Sequence, residues 1–366
     1  MVRENLKRVY FFIRRLVLKS AGIFIDKSEK AITDKEQKIF IYGLKRLGDM
    51  VMSLPVFDEI RNKFKDAFIV LAASEYNRGI ADGKYFDEII TQPSGFYEAG
   101  KFISQLKSYK FDIGIDLTCD YDIFPAFAIY RSGAKIRVGY DAEGRGIFFT
   151  RALSSDFKGK HVLVLIMNLV GVLISNPEPE ISNPKYEPSE DNIEYAKKYL
   201  EKMEIVSTII GIHPGGHYPS QIWAMEKFAG AIDEIKRRDL GDVIIFGTSP
   251  ERTLVNGIMG FLRIAKPFLI LDEPIGKLAA FIKLCDVFLC NNSGPLHLAA
   301  SMEVPTVSIM GPTDYDLWHP LGERNIVIRK NIECSPCNLA VCREHNCMNL
   351  ITVEEIMDAI ERQLKG

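Results

Sequence analysis

Four short segments put residues capable of acid–base and anion-binding chemistry directly after apolar runs that read as strands. The first, Gly43-Leu44-Lys45-Arg46-Leu47-Gly48-Asp49, follows Ile39–Tyr42. Asp49 opens the next helix, where its oxygens suit the orphan N–H groups of a helix start. A carboxylate at a strand end facing a cleft is equally placed to act as a general base. The second segment runs His213-Pro214-Gly215-Gly216-His217-Tyr218-Pro219-Ser220-Gln221-Ile222-Trp223. Its glycines let backbone approach a bound group closely, as phosphate loops do, and His213 suits that site or a structural hydrogen bond. It is neither a P-loop nor a Gly-x-Gly-x-x-Gly dinucleotide loop. The third, Phe246-Gly247-Thr248-Ser249-Pro250-Glu251, sets a carboxylate where it could accept ribose hydroxyls or cap a helix. The fourth, Asn291-Asn292-Ser293-Gly294-Pro295-Leu296-His297, is a small-residue turn between a strand and a helix start. Unpaired N–H groups aimed outward there bind diphosphates; Asn292 or Ser293 as an ordinary helix cap is the alternative.

The elements that must position these segments alternate strand and helix. In the first half they are strand Ile39–Tyr42, helix Met50–Lys65, strand Phe68–Ala73, helix Tyr76–Gly79, strand Glu88–Thr91, helix Gly100–Lys107 and strand Phe111–Leu117. In the second they are helix Asn192–Met203, strand Thr208–His213, helix Met225–Arg238, strand Asp242–Gly247, helix Glu251–Gly260, strand Leu269–Leu271 and helix Ile275–Lys283. Strand Asp286–Cys290, a helix beginning over Leu296–Met302 and strand Thr306–Met310 come next. Such alternation implies α/β domains built on parallel sheets. Four prolines between Asn176 and Ser189 mark a linker. The expected organisation is a basic segment over 1–37, a Rossmann-like domain over 38–175, a linker over 176–190 and a second Rossmann-like domain over 191–366. Two doubly wound domains facing a cleft would bind ligands beyond the carboxyl ends of their strands.

A length of 366 residues, 47% apolar and 26% charged, suits two globular domains. The net charge of −2 gives no electrostatic case for nucleic acid. That near-neutrality hides a split, because residues 1–20 hold six basic residues against Glu4. Residues 6–20 fit a helix with Leu6, Val9, Tyr10, Ile13, Leu16 and Val17 on one face. The basic residues lie mostly opposite, interleaved with Phe11, Phe12 and Leu18. Such a helix either lies on an anionic bilayer surface or packs on its own domain with a solvated basic face. No run reaches transmembrane length and Arg14 and Arg15 break the only candidate signal sequence, so the cytoplasm is expected.

With these segments in order and in register, the chain resembles the heptosyltransferases of glycosyltransferase family 9. The matching pieces are Leu47-Gly48-Asp49 with Leu54-Pro55, His213-Pro214-Gly215-Gly216 with Trp223, Gly247 with Glu251, Ser293-Gly294 with His297-Leu298-Ala299, Gly311-Pro312-Thr313-Asp314, and Cys334-x-x-Cys337 with Cys347-Met348. They extend from about residue 38 to the C-terminus. The resemblance implies a GT-B architecture with the nucleotide sugar held mainly by the C-terminal domain. It implies transfer of heptose from ADP-heptose to the lipid-linked inner core of lipopolysaccharide, with inversion and with no cofactor required for catalysis. Such an enzyme would work peripherally on the inner face of the cytoplasmic membrane, with residues 1–20 toward anionic lipid. Asp49 matches the family's proposed base, Glu251 its ribose contact, and Ser293, Gly294 and His297 the segment around the donor diphosphate. His213, Gly215, Gly216, Ser220, Gln221 and Asn292 complete the donor-binding candidates. Two positions depart from some members, Gln221 standing in place of a Lys and Asn292 in place of an Asp. The first bears on leaving-group stabilisation, which helix N-termini or Lys45 and Arg46 would then supply.

Four of the seven cysteines fall together, as Cys334-x2-Cys337-x4-Cys342-x4-Cys347. They are a candidate structural zinc or iron site, or reduced thiols in a partly buried loop. Retaining transfer would need a second carboxylate near the first, and the sequence singles none out. The competing functions are a member of the family using another donor or a protein acceptor, a non-catalytic sugar-nucleotide-binding subunit, and a metal-bearing redox module.

Overall fold

The computed structural model describes residues 2–22, 25–28, 37–81, 83–174, 181–205 and 207–366; the side chains of residues 2–9 and 21 lie outside that description. Contacts divide the chain into two units, 1–182 and 183–366. Of the expected linker, residues 176–180 fall outside the described residues.

Unit 1 begins with helix α1 (Val2–Gly22), then β1 (Lys38–Tyr42), α2 (Leu47–Met52), α3 (Leu54–Lys63), β2 (Phe68–Ala73), β3 (Glu88–Thr91), α4 (Phe96–Tyr109) and β4 (Ile113–Asp116). It continues with α5 (Ile123–Arg131), β5 (Ile136–Asp141), β6 (Arg151–Ser154) and α6 (Val162–Ile174). Unit 2 holds α7 (Glu190–Lys202), β7 (Ile209–His213), α8 (Met225–Arg237), β8 (Asp242–Gly247), α9 (Arg252–Phe261), β9 (Phe268–Leu271), α10 (Ile275–Lys283) and β10 (Val287–Asn291). It closes with α11 (Gly294–Ser301), β11 (Thr306–Ile309), α12 (Tyr315–Trp318), β12 (Asn325–Ile328), α13 (Asn346–Asn349) and α14 (Val353–Lys365).

The sheets run β3-β2-β1-β4-β5-β6 and β12-β11-β10-β7-β8-β9. All their pairings are parallel. Counted within its own unit, each sheet has the order 3-2-1-4-5-6, the doubly wound arrangement. Parallel strands covered on both faces must be apolar throughout, which is why β2 (FIVLAA) and β10 (VFLCN) are almost continuously buried. Phe40, Phe111, Phe102 and Phe149 anchor the core of unit 1; Trp223 and Phe228, edge-to-face at 5.1 Å, anchor that of unit 2.

Several expectations need correction. The single helix Met50–Lys65 is two, because Pro55 near the start of α3 has no N–H to continue a ladder, and Ser53 Oγ turns back to donate to the Asp49 carbonyl at 2.9 Å. Residues 76–79 form turns, with Asn77 N–H bonded to Ser74 O and Ile80 N–H to Asn77 O. Beyond Leu117 come α5, β5, β6 and α6, which hydropathy periodicity does not announce: β6 is only four residues, and α6 is apolar on every side. In α1 it is Phe11 that is buried and Leu18 that packs on the unit 1 core, while Tyr10, Ile13, Leu16 and Val17 face outward. The helix packs on its own domain, but by the side expected to be basic.

Candidate active site

In a 3-2-1-4-5-6 sheet the connections from strands 1 and 4 leave toward opposite faces, so a crevice opens at their carboxyl ends. In unit 1 that crevice lies beyond β1 and β4, and in unit 2 beyond β7 and β10. The Asp49 segment follows β1; the His213 and Asn291 segments follow β7 and β10.

In unit 1 the chain leaves β1 through Gly43, where a Cβ would sit 2.8 Å from Ala72 O. Buried amides fix the backbone over residues 43–45. Gln92 Nε2 donates to Gly43 O at 2.7 Å, and Asn77 Nδ2 donates to Leu44 O at 3.1 Å and Lys45 O at 2.8 Å. Asp49 then falls in the first turn of α2, whose N-cap position is Arg46, with no side-chain cap hydrogen bond. The cap explanation for Asp49 therefore fails. Its half-buried carboxyl is governed first by burial, which raises its pKa; Arg46 opposes this and Asp120 adds to it, leaving the group pushed up to about 6.

Asp120 belongs to the loop after β4, which one buried cation organises. Arg145, with no exposed side-chain surface, donates to Asp116 Oδ2 at 2.8 Å, Thr118 Oγ1 at 2.7 Å, Thr118 O at 2.9 Å, Asp122 O at 2.7 Å and Tyr140 O at 3.2 Å. Asp116 is equally buried; burial pushes its carboxyl up, against the pull of Arg145 and Thr118. The same loop supplies Asp122, 3.5 Å from Lys45, so Lys45 already has a counter-ion. Neither Arg145 nor Asp116, Asp120, Asn77 or Gln92 stands out in the sequence.

In unit 2, β7 ends on buried His213, whose Nε2 lies 3.4 Å from Glu251 Oε1. The other oxygen, Oε2, accepts from Thr248 N–H and Thr248 Oγ1, each at 2.8 Å, so Glu251 does close a capping box. Burial works to raise Glu251, but His213 and the Thr248 donors outweigh it and hold the carboxyl down at about 2. A carboxylate oxygen accepts two hydrogen bonds, so Oε1 keeps room for a hydroxyl donor. A Cβ on Gly215 would lie 1.7 Å from Glu251 Oε1, so any larger residue there displaces the Glu251 carboxyl; Gly216 is looser.

Asn291, fully buried at the end of β10, ties these pieces together. Its Nδ2 donates to Pro214 O at 2.7 Å and Gly215 O at 3.1 Å, and its Oδ1 accepts from Trp223 N–H at 3.2 Å. The sequence pattern points instead to its neighbour Asn292, which is also buried. Ser293 occupies the N-cap position of α11 but makes no cap bond, and its Oγ has no partner among the described residues. Such an orphan beside a helix N-terminus suits an anion. Gly294 opens that helix and His297 is buried one turn in.

Ser220 and Gln221 do something else. Gln221 Nε2 donates to Thr313 Oγ1 at 2.9 Å and its Oε1 accepts from Tyr218 N–H at 3.2 Å. Buried Ser220 donates its hydroxyl to Leu339 O, while His345 Nε2 donates to Ser220 O at 2.6 Å. Leu339 and His345 lie in the cysteine segment, which also holds Pro312 O through Cys337 N–H at 3.1 Å and Asn338 N–H at 2.8 Å. Of the two readings of the cysteine cluster, the metal site is not supported. Burial and then neighbouring thiols raise Cys347, yet no group of three or more His, Cys, Asp or Glu side chains among the described residues is disposed to hold an ion. Hydrogen bonds to the 219–221 and 311–314 loops account for the segment's shape.

Comparison with known proteins agrees with this layout. Residues 99–348 match the family described as Glycosyltransferase family 9 (heptosyltransferase). A Campylobacter jejuni protein named Lipooligosaccharide heptosyltransferase 2 is 25% identical, covering 90% of this chain and 99% of its own. The fold is that of the glycosyl transferase family 9 structure from Veillonella parvula (TM-score 0.78, 20% identity, 92% of this chain and 99% of that one). The Escherichia coli ADP-heptose LPS heptosyltransferase II shares it (TM-score 0.75, 20% identity, 90% and 98%). It is the GT-B fold.

Arg145→Met tests the buried cation. It strands Asp116 without a counter-ion, and breaking such a pair costs about 3–5 kcal/mol. Urea unfolding of the full chain should show that loss; a change below about 1 kcal/mol would mean that Arg145 does not organise the loop.

Proposed function

The chain belongs to glycosyltransferase family 9, and on that premise we propose that it transfers heptose from ADP-heptose to the inner core of lipopolysaccharide with inversion, Asp49 serving as general base. The observation that carries the mechanism is Asp49 itself: a carboxyl at the crevice of its sheet, free of capping duty, with a pKa of about 6. At neutral pH such a group is ionised yet basic enough to take a proton from an acceptor hydroxyl as it attacks.

The donor falls to unit 2. Glu251, held ionised and anchored by Thr248 and His213, would accept the ribose hydroxyls. The backbone at Gly215-Gly216, the Ser293 hydroxyl and the start of α11 would face the diphosphate, with Asn292 and His297 beside it. Their oriented N–H groups act on the charge that develops as ADP leaves. Gln221 would act indirectly, by bracing Thr313, and Ser220 by bracing the cysteine segment. The acceptor is lipid-linked, so the reaction would take place at the cytoplasmic face of the inner membrane, with the basic residues of 1–20 drawn to anionic lipid. No described helix is long and apolar enough to cross a membrane.

The test is acceptor-dependent release of ADP from ADP-heptose, beside a panel of other nucleotide sugars and a protein acceptor. Turnover only with one of those alternatives would replace the proposed substrates. Asp49→Asn should lower kcat by about 10²–10⁴-fold while ADP binding persists. In the native chain, the acid limb of kcat/KM should fall away below about pH 6, where Asp49 becomes protonated. A variant with near-normal turnover would remove Asp49 from the chemistry.

The same shift makes Asp49 a cost to stability. Below its ordinary value of 3.8 the group is protonated in both states; up to about 6 only the folded state keeps the proton. Its contribution is therefore full at low pH and is lost as pH rises through about 6. Asp49→Asn should raise Tm at pH 7 and change it little at pH 3.5. An equal shift at both would assign the effect to something other than ionisation.

Glu251→Gln should raise the donor KM well before it lowers kcat, the signature of lost uniform binding. A fall in kcat at saturating donor with KM unchanged would give Glu251 a different role.

A further inference from the structure

Helix α1 has two faces of opposite fate. Inward, Phe11 is buried edge-on to Tyr121 at 5.1 Å, Leu18 joins the core, and Arg15 pairs with Glu143 at 2.9 Å. Outward, Tyr10, Phe12, Ile13, Leu16 and Val17 are each 52–63% exposed. At 100° per residue those five occupy one continuous side of the helix. A soluble helix presents charge there, so a stripe of five large apolar side chains has an occupant.

The inward contacts fix where the stripe sits. Tyr121 lies just past the end of β4, and Glu143 just past the end of β5, so α1 is held at the carboxyl edge of the unit 1 sheet. That edge also carries the Asp49 loop. Beyond β3 the same edge exposes Phe96 (99%) and Tyr97 (77%) at the start of α4. Phe96 and Tyr97 are thus the most exposed aromatic rings on this edge apart from α1.

We propose that this edge of unit 1 is a membrane-docking surface, with α1 lying in the plane of an anionic bilayer, its Tyr10–Val17 stripe in the interfacial layer and Phe96 and Tyr97 as a second contact. Charge selects this occupant. Residues 1–20 carry six basic residues against one acidic, whereas the chain as a whole is at −2. Two copies meeting stripe to stripe would bring two such helices together, and like charges repel; an anionic lipid surface attracts them. The inference rests on the reading that the acceptor is lipid-linked, and it adds an orientation: docking turns the Asp49 loop toward the layer from which the acceptor projects. Contact is made by the apolar stripe, with basic residues beside it, rather than by a basic face alone.

The experiment compares the full chain with Ile13→Glu/Leu16→Glu/Val17→Glu in co-flotation with phosphatidylglycerol-containing and pure phosphatidylcholine vesicles. All three positions are exposed, so the thermal unfolding of the variant should match; should it not, Ile13→Ser/Leu16→Ser takes its place. Affinity for the anionic vesicles should fall at least tenfold, and that of Phe96→Ser/Tyr97→Ser severalfold. The native chain should keep part of its binding at high salt, as apolar insertion requires. Turnover on a delipidated acceptor should be unchanged in the variants. Unaltered binding of the triple variant, equal binding to neutral vesicles, or a native dimer that the variant converts to monomer would each overturn the proposal. Failure of both proteins to turn over any core acceptor would defeat the reading of function instead, and would leave the vesicle result standing.

Discussion

Where two neighbouring parallel strands send their helices to opposite faces, the carboxyl ends of those strands have nothing above them, and polar backbone there must be satisfied by side chains or by a ligand. The rest of this chain is arranged around that constraint, met once in each unit. In unit 1, Gln92, Asn77 and Arg145 take up the carbonyls around the β1 and β4 ends. In unit 2, Asn291 takes up those of Pro214 and Gly215. The groups these residues leave open are correspondingly informative: the Asp49 carboxyl in one unit and the Ser293 hydroxyl in the other.

Environment pushes the two strand-end carboxylates in opposite directions. Asp49 lies in the first turn of α2 and Glu251 ends the short turn before α9, yet one is pushed up to about 6 and the other held at about 2. Glu251 has His213 and two Thr248 donors, so it stays ionised and fixed, as a recognition group should be. Asp49 has neither cap nor counter-ion strong enough to offset its burial, which suits a group that must take a proton. Such separation of two carboxyl groups by their surroundings lets one chain carry a protonatable carboxyl in unit 1 and a permanent anion in unit 2. The cost falls on stability, and Asp49 would not sit as it does in a chain selected for stability alone.

Much of this could be read from the sequence, because local geometry wrote it there. Gly43 and Gly215 sit where a Cβ would meet Ala72 O or the Glu251 carboxyl, one strand away, and the apolar runs of β1, β2, β7 and β10 are those of buried parallel strands. Arg145, Asp116 and Asn291 could not be read. Each acts across long stretches of chain, and an Arg or Asn in isolation looks like any surface residue. The region after Leu117 is silent in part because β6 is only four residues and α6, apolar on nearly every side, has no amphipathic period. In α1 the apolar stripe was legible but its destination was not. Phe11 and Leu18 win the core because Tyr121 and the residues around Ile147 wait for them, a fact that no helical wheel contains. The cysteine spacing left a metal site and reduced thiols both open; the structure supports no metal there among the described residues and braces the segment through Ser220, Pro312 and His345.

The proposed chemistry is direct displacement at the sugar by an acceptor hydroxyl that Asp49 activates. Asp120 makes this worth testing stereochemically, since it places a second carboxylate within electrostatic reach of the first, as a double displacement would require. The measurement is the anomeric configuration of the product, by NMR, after incubating the full chain with ADP-heptose and a core oligosaccharide. Inversion relative to the donor is predicted. A product that retains the donor's configuration, or hydrolysis of ADP-heptose with no glycoside formed, would contradict it.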